Sequence, residues 1–285
     1  MNFFSALVEH PFLLMALFAG CAASLAGGVI GSYVVIKKIV SMSGSIAHSV
    51  LGGMGVFLWL KRSYGWDFLT PLQGALVAGL SSALLMGWIH LKYKQREDTL
   101  IAAIWSTGMS IGVIFIALTP GYNVELLNFL FGNILWVSKS DLQLLFFLDV
   151  LIVAVVALLY RRFLAICFDE QQALLQKVSV HTLYLLLLSL VAIAIVLLIQ
   201  IVGAILVITL LAIPASIAAL FTKDLWRMMG LASLLGILCT CLGLYTSYEL
   251  NWPPGSTISL VAAALYLASL FSRKTRYKTK KITRY

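Results

Sequence analysis

Residues 182–222 contain no Asp, Glu, Lys or Arg, an uncharged run of 41 residues. As a helix the run would be roughly 60 Å long, two bilayer hydrocarbon cores rather than one. It must therefore cross a membrane, turn near Gln200–Gly203, and cross back as a tight helical hairpin. Pro214 falls inside the second crossing, where its missing amide predicts a kink. A short polar stretch, Phe168-Asp169-Glu170-Gln171-Gln172-Ala173, leads into this pair.

The rest of the chain is built alike. It is 61% hydrophobic and 11% charged, against about 25% charged in soluble domains. Apolar runs place crossings near residues 12–36, 44–60, 69–91, 100–119, 142–160, 180–201, 203–221, 228–247 and 255–272. Segment 124–138 is too short and too interrupted to span and reads as interfacial or partly re-entrant. No basic residue precedes Lys37, and the run before it is too long for a signal-peptide core, so it reads as a retained first span. The expected fold is an all-α polytopic membrane protein, a compact bundle of eight or nine helices forming one domain over residues 1–285.

Charge sets an orientation. With the N-terminus outside and nine crossings, 17 of the 20 Lys and Arg fall on the cytoplasmic side, seven of them in the basic tail 273–285. Only Lys61, Arg62 and Lys139 fall outside, which satisfies the positive-inside rule. The net charge of +9 is thus a topology signal with an affinity for anionic lipid, and its placement argues against nucleic-acid binding. Outside, Glu9, Asp67, Glu125, Asp141 and Glu249 outnumber the three basic residues, which favours cation approach.

Small residues recur within the spans. Gly27 with Gly31, Gly108 with Gly112, and the pair Gly52 and Gly53 would let helix backbones come close. Cys239 and Cys241 point about 200° apart on a helix and cannot share a metal; the four cysteines read as small packing residues.

No Gly-x-x-x-x-Gly-Lys-Ser/Thr loop is present, so the chain carries no P-loop for ATP phosphates. Few ionisable groups lie within the spans: His48, Asp149 and, at a span end, His181. His48 sits in Ser43-Gly44-Ser45-Ile46-Ala47-His48-Ser49-Val50-Leu51-Gly52-Gly53. A neutral imidazole there is either a ligand for a borderline transition metal or a hydrogen-bonded packing residue. Asp149 must face the bundle interior or water, as a metal ligand or as the partner of a polar group on another helix. Residues 169–177, with Asp169, Glu170, Gln171, Gln172, Ala173 and Lys177, form either a short docking helix or a solvated connection.

Five segments in order resemble the membrane permeases of ATP-driven importers of zinc, manganese or iron, the ABC-3 type. They are Tyr33-Val34-Val35-Ile36-Lys37-Lys38 with the His48 motif; Leu130-Phe131-Gly132-Asn133-Ile134-Leu135; Phe168-Asp169-Glu170-Gln171-Gln172-Ala173; Val202-Gly203-Ala204-Ile205-Leu206-Val207 through Leu211-Ala212-Ile213-Pro214-Ala215; and Pro253-Pro254-Gly255-Ser256. The resemblance implies a non-enzymatic subunit in the inner membrane of a bacterium. Its partners would be separate ABC ATPase subunits, an extracytoplasmic metal-binding protein and a second permease copy or paralogue, with the ion path between the two. It also implies that residues 169–177 form the ATPase-coupling loop and that His48 contacts the passing metal. Gly203 and Pro214 would then mark the moving helix pair.

One position departs from the family pattern. Members commonly carry Gly-Asp-Ala-x-x-His in the second span, and Gly44 stands where that Asp would be. Loss of a hard oxygen ligand leans toward zinc over manganese. The competing expectation is a gradient-driven secondary transporter using His48 and Asp149 as a proton relay, and a third is a membrane scaffold that transports nothing.

Overall fold

The computed structural model describes residues 3–93, 97–121, 129, 132 and 134–282. The described chain is helical: α1 (Phe3–Glu9), α2 (Pro11–Ile36), α3 (Val40–Tyr64), α4 (Pro71–Tyr93), α5 (Glu97–Leu118), a 3-10 turn (Ile134–Trp136), α6 (Lys139–Phe168), α7 (Glu170–Leu175), α8 (Val180–Val202), α9 (Ala204–Phe221), α10 (Leu225–Leu250) and α11 (Pro254–Ile282). Among the described residues nine helices are long and apolar enough to cross a membrane, α2 to α6 and α8 to α11.

Local chemistry sets the helix ends. Pro11 opens α2 at a position that needs no amide donor. Thr70 and Gln73 cap the start of α4 reciprocally, and Ser138 with Asp141 does the same for α6. Gly65 and Asn251 close α3 and α10 in the left-handed conformation. Lys38 takes that role after α2 and Lys177 after α7, with φ of 59° and 57°.

Two helices overrun their expected ends furthest, α11 to Ile282 rather than residue 272 and α6 to Phe168 rather than residue 160. Helix α6 is the one whose overrun bears on the site. Arg161 and Arg162 do not end it, because long basic side chains reach to the interface from inside a helix. It stops where Asp169 turns extended and caps α7, accepting from the Gln172 amide at 2.9 Å. Helix α1 had no counterpart in the sequence reading. Its Phe3 is buried and packs edge-on to Tyr245 and Tyr248 of α10 at 5.5 and 5.7 Å.

The helices pack as two groups. Helix α2 lies against α6, α9 and α10, and α11 packs on α9 and α10; α3 lies against α4 and α5. Helix α8 joins the groups through α2, α3, α4 and α6. The expected tight hairpin of α8 and α9 is a divergent pair, for their main packing surfaces are on other helices. The break between them is Gly203 alone, at φ 83° and ψ 159°, a conformation essentially closed to other residues.

Residue 132 sits against this break. It has φ +66°, and a Cβ there would stand 2.5 Å from the Gly203 nitrogen. Phe129 and Ile134 are buried, and residues 124–128, 130, 131 and 133 of the segment expected to be interfacial lie outside the described residues.

Glycines bring α2 onto α9. A Cβ on Gly31 would stand 2.9 Å from the Leu211 carbonyl carbon, and one on Gly27 would stand 3.1 Å from the Leu210 oxygen. That oxygen is the one Pro214, four residues on, cannot bond. The kink expected at Pro214 takes the form of a freed carbonyl turned to α2 within a continuous helix.

Candidate functional site

Helix α3 carries His48 eight residues in from Val40, about 12 Å along the axis. The ring is half-buried and stacks on Trp105 of α5, with centroids 4.4 Å apart and planes 9° from parallel. Its Nδ1 is buried and has no hydrogen-bond partner among the described residues. Gly44 lies one turn earlier on the same face. It is buried, yet a Cβ there would meet nothing within 4 Å. Open space therefore lies one turn along α3 from an unpartnered imidazole nitrogen, at the position where the resemblance implies a carboxylate.

Asp149 is also buried, on α6, with Oδ1 unpartnered among the described residues. Helix α6 packs on α2 and α8, whereas the main neighbours of α3 are α4, α5 and α8. The two ionisable groups thus stand on helices that do not pack closely together, and a direct relay between them has no geometric support. Among the described residues no three His, Cys, Asp or Glu side chains cluster closely enough to hold a metal. His181 is exposed at the start of α8.

The 169–177 stretch resolves as the short helix α7 and its exit. Ala173 is buried, and Glu170, three residues earlier on the same face, pairs with Lys37 at the end of α2. Gln171 and Leu175 lie on the opposite face, and Leu174 and Leu175 are exposed together with nearby Phe168. Lys177, in the left-handed conformation, turns the chain toward α8. A cavity of about 420 Å³ runs beside α7, between Arg161 and Phe168 of α6 and Lys223 at the start of α10. This end of the molecule offers an apolar, solvent-facing ridge beside a groove. At the other end, a cavity of about 450 Å³ lies between Val50 and Met54 of α3, Pro71 of α4 and Gln200 of α8.

Three residues went unmarked by the sequence reading of the site. Trp105 and the ridge residue Leu175 carry no local signal, since hydrophobic side chains are the background in such a chain. Lys37 counted as a topology charge and as part of the resembling segment 33–38, with no role of its own.

A family model described as "ABC 3 transport family" matches residues 9–273. The chain is 48% identical over 274 residues to the "Probable metal transport system membrane protein" of Chlamydia pneumoniae, covering 95% of this chain and 93% of that protein. It is 33% identical over 279 residues to the "Manganese import system permease protein ScaB" of Streptococcus parasanguinis, covering 98% and 97%. Its fold matches a chain of "PsaBC from Streptococcus pneumoniae in complex with Fab" with a TM-score of 0.82 and 30% identity, over 94% of each chain.

Proposed function

The chain belongs to the ABC 3 transport family, and from that premise we propose that it is the permease subunit of an ATP-driven importer of a divalent transition metal. The family match over residues 9–273, nearly the whole chain, carries this reading. Manganese is the first candidate cargo, because the Streptococcus parasanguinis relative is named for it. Zinc is the competitor, because Gly44 offers no hard oxygen ligand.

ATP hydrolysis belongs to separate ATPase subunits, which dock on the ridge of Phe168, Leu174 and Leu175 at the cytoplasmic face. A metal-binding protein delivers the ion on the opposite side. A second permease copy or paralogue completes the path, with the α3–α5 face carrying His48 and Trp105 turned toward it. His48 contacts the ion through its imidazole and releases it, since a tight site would trap the cargo. Gly203 and Pro214 shape the helices that rearrange as the path alternates. Separation of Asp149 from His48 removes the support for a gradient-driven relay.

Radiotracer manganese uptake by the permease reconstituted with its ATPase and binding protein tests this reading, with unlabelled zinc and iron as competitors. His48→Ala is expected to abolish uptake while the ATPase still co-purifies, and Leu175→Asp is expected to release the ATPase. Uptake unchanged in His48→Ala would remove that side chain from the path. An ATPase that never co-purifies would overturn the reading as a whole.

A further inference from the structure

Lys37 has partners on three other helices. Its side chain is only 11% exposed. Nζ donates to the Ile166 carbonyl of α6 at 2.8 Å, pairs with Glu170 of α7, and lies 5.5 Å from the ring centre of Tyr184 on α8. Tyr184 in turn donates to the Met42 sulfur of α3 at 3.7 Å and stacks on His90 of α4 at 5.1 Å. One ammonium thus gathers α2, α6, α7 and α8 directly, and α3 and α4 through a single ring.

The connectivity of α7 gives this node a mechanical meaning. That helix packs mainly on α6 and α8, its neighbours in the chain. The Glu170 side chain ties it to a residue remote in sequence, 133 positions away. Lys37 is the cap residue of α2, and one left-handed residue, Lys38, and Ile39 separate it from α3. A displacement of α7 therefore reaches the α2–α3 corner through an ion pair, and the helix that starts there bears His48. The ammonium is nearly buried, so it has reason to keep its partners, although the half-exposed Glu170 carboxylate is screened by water.

We propose that Lys37 is the positioning residue that transmits the displacement of α7 to α3, through Glu170 on one side and Tyr184 on the other. This rests on the permease reading, and the test separates the two. In proteoliposomes holding the permease, its ATPase and the binding protein, metal uptake and ATP hydrolysis are measured together. Lys37→Met is expected to keep ATP hydrolysis but lower metal transported per ATP at least tenfold. Lys37→Arg, which keeps the charge, should restore most of that ratio. The reversed pair Lys37→Glu with Glu170→Lys should exceed Lys37→Glu alone. A ratio in Lys37→Met equal to wild type would overturn the proposal. If Lys37→Met does not assemble, the comparison of the reversed pair with Lys37→Glu decides, and equal ratios there would overturn it. Failure of the wild-type complex to move metal at all would count against the permease reading instead.

Discussion

Substituting alanine for Gly31 and, separately, for Gly44 tests whether the glycines of α2 are placed for packing. Both are buried helical glycines, so each gains about 1 kcal/mol of helix propensity on becoming alanine. Their surroundings differ. At Gly31 the new Cβ would meet rigid backbone of α9, 2.9 Å from the Leu211 carbonyl carbon and 3.1 Å from its Cα. The Leu211 carbonyl oxygen would be closer still, and non-bonded heavy atoms settle at about 3.5–4.0 Å, so α2 and α9 must part by about 1 Å or more. Overpacking of this kind costs about 1–3 kcal/mol. At Gly44 the Cβ meets nothing within 4 Å. The propensity gains cancel in the comparison, leaving the clash as the difference. At about 2–4 °C per kcal/mol the two variants should melt on the order of 5 °C apart, with Gly31→Ala the lower. Tryptophan fluorescence of both purified variants, heated in the same detergent, gives the midpoints. Coincident midpoints, or Gly44→Ala melting below Gly31→Ala, would refute the packing argument.

Gly44→Asp places a carboxylate in open space one turn before His48, and it should move the manganese-over-zinc preference of uptake toward manganese by about tenfold; competition between the two radiotracers reads it. Asp149→Leu replaces a buried carboxylate with an unpartnered oxygen by an apolar side chain of similar size, so it should leave uptake within about twofold and raise stability by about 1–3 kcal/mol. Uptake assay and melting midpoint check it, and loss of uptake in that variant would revive the relay.

The crossings were legible because bilayer thickness dictates them: a charge-free run of 41 residues admits no other reading. Ends were legible where a cap or glycine sits, and misjudged at Arg161, where charge suggested an end that the helix did not need. His48 stood out as a polar group in an apolar run. Its stacking on Trp105 did not, because nothing near residue 105 marks a partner on α3. The same holds for Lys37 and Glu170, ordinary interfacial charges until the fold places them together. Helix α1 escaped notice because seven residues carry too little pattern, and Phe3 is held by tyrosines from the far end of the chain. Local chemistry writes elements, and only tertiary approach writes sites.

The one-residue joint at Gly203 leaves no slack between α8 and α9. Inserting a single amino acid there would turn everything downstream by about 100° about the α9 axis. The carbonyls of Leu210 and Leu211, now fitted to Gly27 and Gly31, would swing away, and bulkier flanks would face α2 instead. The chain's rotational phase is thus set once, at a glycine, and all of α9 inherits it.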